Sequence, residues 1–488
     1  MAISSLPSKY GIGCFSKEAY EFVDWLKEAE QRYWQILPMG PTGYGDSPYQ
    51  SFSTFAGNPY FIDLEALIYQ GLLTEEECDR VDFGCNGCEI DYKKLYEGRF
   101  ELLSRAFSRV NLDEEQDYQS FMKENREWLF DYSLFMALKD FFGGKAWYEW
   151  EEDIRFRNSE AMEYYRKALK QECSCYQYLQ YLFFRQWQAL RTYANDRNIE
   201  IIGDIPIYVA RDSADVWAHP ELFSLDERRL PKAVAGCPPD GFSPDGQLWG
   251  NPLYDWEYHK KTSFAWWILR ISWCFEIYDA LRIDHFRGFD EYYTIPYGEE
   301  TAVNGHWEKG PGILLFQALQ RALGPRKIIA EDLGFVTDSV RRLVRDCGYP
   351  GMKVFEFAFD QREQGTNAEY LPHNYDRHTV AYTGTHDNET LHGWWMHMGE
   401  QVQAKVRQYA CDAYTPDDEM YLPLIGLVMR SASDLVIIPL QDYLGLGNEA
   451  RMNHPSTVGT NWKWRVAPEA LSKELAEMIR NITKGTDR

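Results

Sequence analysis

Ala280-Leu-Arg-Ile-Asp-His-Phe-Arg-Gly-Phe289 reads as a short buried strand, Leu281 to Ile283, that carries charged groups to its end and then meets a glycine. Arg282 and Asp284 are two residues apart, so on a strand they face the same side. A guanidinium beside a carboxylate favours the ionised form and lowers its pKa. That suits a nucleophile that must be a carboxylate at neutral pH. A buried structural ion pair carries the same signature, and this stretch alone does not separate the two. What separates them is that two other strand-like stretches also close on an acid.

On either side, the same kind of short apolar run recurs. Toward the N-terminus lie Tyr33–Pro38 and Glu200–Tyr208; toward the C-terminus lie Lys327–Leu333, Met352–Ala358, Thr379–Gly384 and Asp434–Pro439. Helix-forming sequence separates most of them, which is the pattern of a parallel sheet, and seven such runs predict a (β/α)8 TIM barrel. The eighth strand falls to Ala2-Ile-Ser at the N-terminus. Between the runs, Ala19, Phe22, Val23 and Leu26 form a helical stripe that starts at Ser16 as cap. Residues 65–198 show few strand signals and several helical stripes, among them Trp128, Leu129, Tyr132, Phe135 and Met136 and a long run from Glu160 to Arg191. They predict a mostly helical insertion between strands 2 and 3. Residues 208–262 predict a second insertion after strand 3, turn-rich around Pro238–Pro252. The whole, 1–488, is expected to be one barrel unit, ending in a helix around Pro468 to Arg480.

Asp284, Glu331 and Asp387 follow three of these strands. Active sites of such barrels sit at the C-terminal ends of the strands, so the three acids are expected at one mouth. Two carboxylates flanking a bond, one ionised and one protonated, are the machinery of glycoside cleavage. Asp284 is then the attacking group. Glu331, raised by neighbouring negative charge, is the proton donor, and Asp387 favours the positively charged transition state. Glu331-Asp332 also fits a divalent cation, but Arg282 and His285 beside Asp284 count against a metal. His386 is either a structural histidine or a donor to a substrate hydroxyl.

Composition indicates a soluble chain with a solvated surface. The formal charge is −24, which argues against nucleic acid or an anionic membrane as partner. Aromatic residues make up 16% of the chain, with 17 Trp and 33 Tyr, enough to build stacking surfaces for sugar rings as well as a core. Cys85-Asn-Gly-Cys88 and Cys173-Ser-Cys175 lack a second pair at metal spacing, so free thiols are expected. Met1–Pro7 has no signal-peptide pattern and no run of 18 apolar residues occurs, so a cytoplasmic location is expected.

Arg282–Phe289, Ala330-Glu-Asp-Leu-Gly334 and Thr383-Gly-Thr-His-Asp-Asn388 resemble the three catalytic regions of the 4-α-glucanotransferases, the amylomaltases or disproportionating enzymes of glycoside hydrolase family 77 in the α-amylase clan. The resemblance extends to Leu37–Gln50, Gly203-Asp-Ile-Pro206, Trp249–Tyr254 and Leu446–Asn453. It implies Asp284 as nucleophile, Glu331 as acid/base and Asp387 as transition-state stabiliser. It also implies substrate-binding roles for Tyr49, Asp204, Trp249, Arg282, His285 and His386, and loops at 238–252 and 444–460 that arch over the glucan. The resemblance also implies a single catalytic barrel unit over 1–488 with no C-terminal β-sandwich domain. Maltooligosaccharides and other α-1,4-glucans are the implied partners, with no cofactor, no metal and no protein partner. One departure stands out. Family members carry a further apolar run before Ser-Ser-Leu-Pro, whereas Met1-Ala-Ile precedes it here. Either the first strand is shortened or the start of the sequence is incomplete, and a barrel missing most of one strand exposes an edge, a matter of stability more than chemistry.

Overall fold

The computed structural model describes the chain except Tyr44, Cys85, Asn86, Asp113, Gln116 and residues 240–242 and 360–366. Cys85 of the Cys-x-x-Cys pair and part of the 238–252 stretch thus lie outside the described residues. In chain order the strands are β1 (Tyr33–Gln35), β2 (Glu200–Pro206), β3 (Ala233–Cys237), β4 (Gln247–Pro252), β5 (Ala280–Asp284), β6 (Glu291–Pro296), β7 (His306–Lys309), β8 (Ile328–Ala330), β9 (Gly351–Val354), β10 (Thr379–Tyr382) and β11 (Leu435–Ile437). Seven of them form one parallel sheet in the order β1-β2-β5-β8-β9-β10-β11, and these are the seven runs expected from the sequence.

The sheet curls into a nearly closed TIM-type barrel because both of its faces are apolar. Ile202, Ala280, Ile329, Met352, Val354, Val380 and Tyr382 pack together on one side. Their alternates, such as Leu281, Ile283, Ile328 and Ala381, belong to the larger core shared with the helices. Strand alternation places Arg282 and Asp284 on the same face as Ala280.

Ala2-Ile-Ser does not supply an eighth strand: Ile3–Ser5 is one 3-10 turn. Among the described residues β1 and β11 therefore pair on one side only, and a cavity of about 760 Å³ lies between them, lined by Gln35, Ile36, Leu435, Val436 and Ile437 among others.

Between β1 and β2 the chain is helical, with Arg126–Phe141 and the long Lys170–Asn195 packed against each other. The stretch read as one run from Glu160 is broken at Leu169, which separates Ser159–Ala168 from Lys170–Asn195. Ser16 does precede the helix Lys17–Glu28, but its hydroxyl bonds Ser8 and Glu18 instead of capping the backbone. A second, antiparallel sheet, β4-β3-β6-β7, stands beside the barrel, and part of it is built from the turn-rich stretch around 238–252. The helix Lys473–Gly485 is the last element. Among the described residues no helix is long and apolar enough to cross a membrane, and Cys14, Cys78, Cys173, Cys175, Cys274, Cys347 and Cys411 are free thiols.

Candidate active site

The register of the barrel assembles the acids. Ile283 pairs with Ala330, so Asp284 and Glu331, the next residues of two adjacent strands spaced about 4.8 Å apart, leave the rim side by side. The backbone keeps them there: the Glu331 N–H donates to the Ile283 carbonyl and the Phe286 N–H to the Glu331 carbonyl. After Asp284 the chain turns sharply, with His285 at φ 53°, in the left-handed region that non-glycine residues seldom occupy. Phe286 and Gly288 hold the turn in place. Phe286 is fully buried and stacks on Phe316 at 4.8 Å. At Gly288 a Cβ would meet Ile207 Cδ1 at 2.9 Å.

Arg282 is 4% exposed and divides its guanidinium between two acids. One nitrogen donates to both oxygens of Asp204, at 2.8 and 2.6 Å, and the other to Asp284 Oδ1 at 2.9 Å. Asp204 is the register partner of Arg282 across β2 and β5. It also accepts the Tyr49 hydroxyl at 2.7 Å. Tyr49 stacks on His386, centroids 5.0 Å apart and planes 22° from parallel, and His386 Nε2 lies 3.5 Å from Asp387 Oδ2. On the other side, Glu331 Oε2 accepts the His285 N–H at 2.5 Å and Oε1 the Leu333 N–H at 3.0 Å. The Trp249 ring meets His285 edge to face at 4.8 Å. All nine residues singled out in the sequence are thus linked through one network of contacts.

The charges do not behave as the local sequence suggests. Arg282 does pull Asp284 down, but burial among protein groups is the larger effect, and the carboxyl stays above the ordinary aspartate value. Glu331 is pushed up to about 8, by burial first and by the Asp284 charge second. Only Asp284 is bonded to the guanidinium, so the proton of the pair belongs to Glu331. His285, pushed down to about 3 by burial, is neutral, and its Nε2 has no protein partner among the described residues. Asp332, the second half of the Glu-Asp pair, turns away and accepts the Met352 N–H on β9 at 2.8 Å. The two carboxylates therefore do not converge as a metal pair would require.

Three further residues join the site without a local signal in the sequence. Asn453 donates to Asp387 Oδ1 at 2.6 Å, and Arg451 donates to the Asp387 carbonyl at 2.6 Å. Trp462 lies 5.9 Å from Tyr49 and 5.7 Å from His386, ring to ring. The loop carrying Asn453 is one of those expected over the glucan, but nothing local marks which of its side chains reaches the acid. Asp387 itself is the most open of the three acids, 49% exposed.

The chain is similar along its whole length to known proteins. A family model described as 4-alpha-glucanotransferase matches residues 1–471. The chain is 47% identical over 485 residues to a 4-alpha-glucanotransferase of Clostridium butyricum, covering 99% of each, and 45% identical over 494 residues to one of Thermus thermophilus, covering 99% of this chain and 97% of the other. A solved amylomaltase of Streptococcus agalactiae, in complex with acarbose, superposes with a TM-score of 0.96 at 42% identity, over 100% of this chain and 98% of that one. End-to-end similarity at this level, on a barrel whose rim gathers these three acids, makes the chain a member of the 4-alpha-glucanotransferases, the amylomaltase enzymes of glycoside hydrolase family 77.

Proposed function

We propose that the chain moves α-1,4-glucan segments from a donor to the 4-hydroxyl of an acceptor glucan or glucose by retaining double displacement. The observation that carries this reading is the pairing of Ile283 with Ala330, which sets an arginine-bound carboxylate beside a protonated one. Retaining glycosidases hold their two carboxyl groups about 5–5.5 Å apart, so that one attacks carbon directly. Asp284 attacks the anomeric carbon and forms the glucosyl-enzyme bond, while Glu331 gives its proton to the departing 4-oxygen. Glu331 then takes the proton of the incoming 4-hydroxyl as that oxygen displaces Asp284. Two inversions restore the α configuration. Asp387, steadied by Asn453, stabilises the positive charge that develops on the sugar ring. His386 and Trp249 contact the sugars, and Asp204, buried beneath them, holds Arg282 and the Tyr49 hydroxyl in place.

Incubation with maltotriose tests the reaction. Glucose together with a ladder of maltodextrins longer than the trisaccharide is expected; reducing sugar without any longer product would make the chain a hydrolase of the same clan. Tyr49→Phe removes the hydroxyl donated to Asp204. A hydrogen bond to a charged group contributes about 1.5–3 kcal/mol to folding stability, so the melting temperature is expected to fall by a few degrees, and kcat/KM for maltotriose, measured as initial rates of glucose release, is expected to fall as Asp204 and Arg282 lose a fixed partner.

A further inference from the structure

Behind the turn that carries His386 and Asp387 lies an acid that the proposed reaction does not use. Glu356 follows β9 and is 5% exposed. Its N–H donates to the Thr383 carbonyl at 3.3 Å, which extends the β9–β10 ladder, paired up to Val354 and Tyr382, onto the turn itself. Its side chain is pressed against the turn: a Cβ at Gly384 would meet Glu356 Oε1 at 2.7 Å and Asn388 Cβ at 3.2 Å. Asn388 in turn ties the loop together, because its Oδ1 accepts both the N–H of Thr385 at 2.9 Å and its hydroxyl at 2.8 Å.

We propose that Glu356 is a positioning residue for transfer: its buried carboxyl, lodged against Gly384 and Asn388, fixes the turn Thr383–Asn388 and so sets where His386 and Asp387 stand over the reacting sugar. The inference rests on the stabilising role proposed for Asp387.

The surroundings explain why a carboxyl at this point is a positioning device and not a stabilising one. Oε1 has no hydrogen-bond partner among the described residues, and the one side-chain hydrogen bond that favours the charged carboxyl comes from Asn388. The ionised groups that face it are Asp442 and Glu389, which oppose its charge, and Arg451, which favours it. Asp442 is committed elsewhere, accepting the Thr383 hydroxyl and the Leu391 N–H, and Glu389 accepts from the Asn448 amide. Burial and the two acids hold Glu356 well above the ordinary glutamate range, so it is neutral when the enzyme works. A buried group whose folded-state pKa is raised lowers stability as pH rises above its unfolded value. A residue kept only for folding would not be built this way.

The test is kinetic and thermal together. Glu356→Gln keeps shape and polarity and is expected to retain kcat for maltotriose disproportionation within threefold. Glu356→Met keeps volume without the polar end. Its kcat is expected to fall thirtyfold or more, its KM to change less than threefold, and its melting temperature at pH 8 to equal or exceed that of the unsubstituted enzyme. Activity within threefold for Glu356→Met, or losses in both variants that follow a drop in melting temperature, would overturn the proposal. If Glu356→Met does not fold, Gly384→Ala takes its place. The added Cβ forces Glu356 and the turn apart, and an unchanged kcat would be equally fatal. Asp387→Asn run alongside separates the two ideas. A dead Asp387→Asn with a fully active Glu356→Met refutes only the positioning role, whereas an active Asp387→Asn refutes the role of Asp387 and the inference with it.

Discussion

Asp284→Asn is expected to lower transfer from maltotriose by at least about 10⁴-fold, since removing the nucleophile of a comparable catalytic unit costs that much or more. The fold should not suffer. Asparagine has the shape of aspartate, and its carbonyl can still accept the Arg282 N–H that now reaches Asp284 at 2.9 Å. Arg282 also keeps its two bonds to Asp204, so no buried cation is left unpaired, the circumstance that makes breaking such pairs destabilising. Melting temperature within a few degrees of the unsubstituted enzyme, with turnover gone, is the expected pair of results. Asp284→Ala carries the argument to the chemistry. Azide entering the vacated space attacks the anomeric carbon from the face that Asp284 would use, so an activated α-glucosyl donor should yield the β-glycosyl azide. Substantial residual turnover in Asp284→Asn would place the nucleophile on another residue.

How much of this is written locally in the chain differs from residue to residue. The inner barrel strands are legible because both of their faces are buried, which leaves unbroken runs such as Ile328-Ile-Ala330 followed at once by an acid; the edge strands β1 and β11 are only part-buried but keep enough apolar residues to be read. The antiparallel sheet is not. His306–Lys309 is largely exposed and offers no apolar run, and Gln247–Pro252 hides its pairing under Gly, Asn and Pro. Those residues read as a turn until a partner strand is known. The ion pair of Arg282 and Asp284 is visible as an i, i+2 spacing on a strand. The dominant influence on Asp284 is not, since burial is set by packing from distant parts of the chain and no neighbour in sequence reports it. Glu356 illustrates the same limit, reading in Val354-Phe-Glu-Phe357 as one polar residue in an apolar strand. Only the ladder to Thr383 and the contact with Gly384 reveal what it faces.

Glu331→Gln is the second large effect, and its value lies in where activity is lost and where it is kept. Removing a general acid and base costs about 10²–10⁴-fold, and that loss is expected with maltotriose, whose leaving sugar needs a proton. With α-maltosyl fluoride, whose leaving group needs none, formation of the glycosyl-enzyme should be nearly unimpaired. The covalent adduct on Asp284 should then accumulate, visible as a mass increase of the intact protein, because no base remains to activate the acceptor. In the unsubstituted enzyme kcat/KM for maltotriose should fall as pH rises through about 8, where Glu331 loses its proton. Glu331→Gln should lack that limb. Stability of the unsubstituted enzyme should also decline with pH. A carboxyl whose pKa rises from about 4.3 in the unfolded chain to about 8 in the folded one binds its proton more tightly when folded. Stability therefore declines as pH climbs through that window. Glutamine removes the dependence, so the variant should melt above the unsubstituted enzyme at pH 9 and level with it near pH 4. Equal impairment on both donors, or an alkaline limb that survives the substitution, would take the acid/base role away from Glu331. Activity lost and stability gained from one amide would mean that the barrel holds this carboxyl protonated against its own stability, for the sake of the proton it delivers.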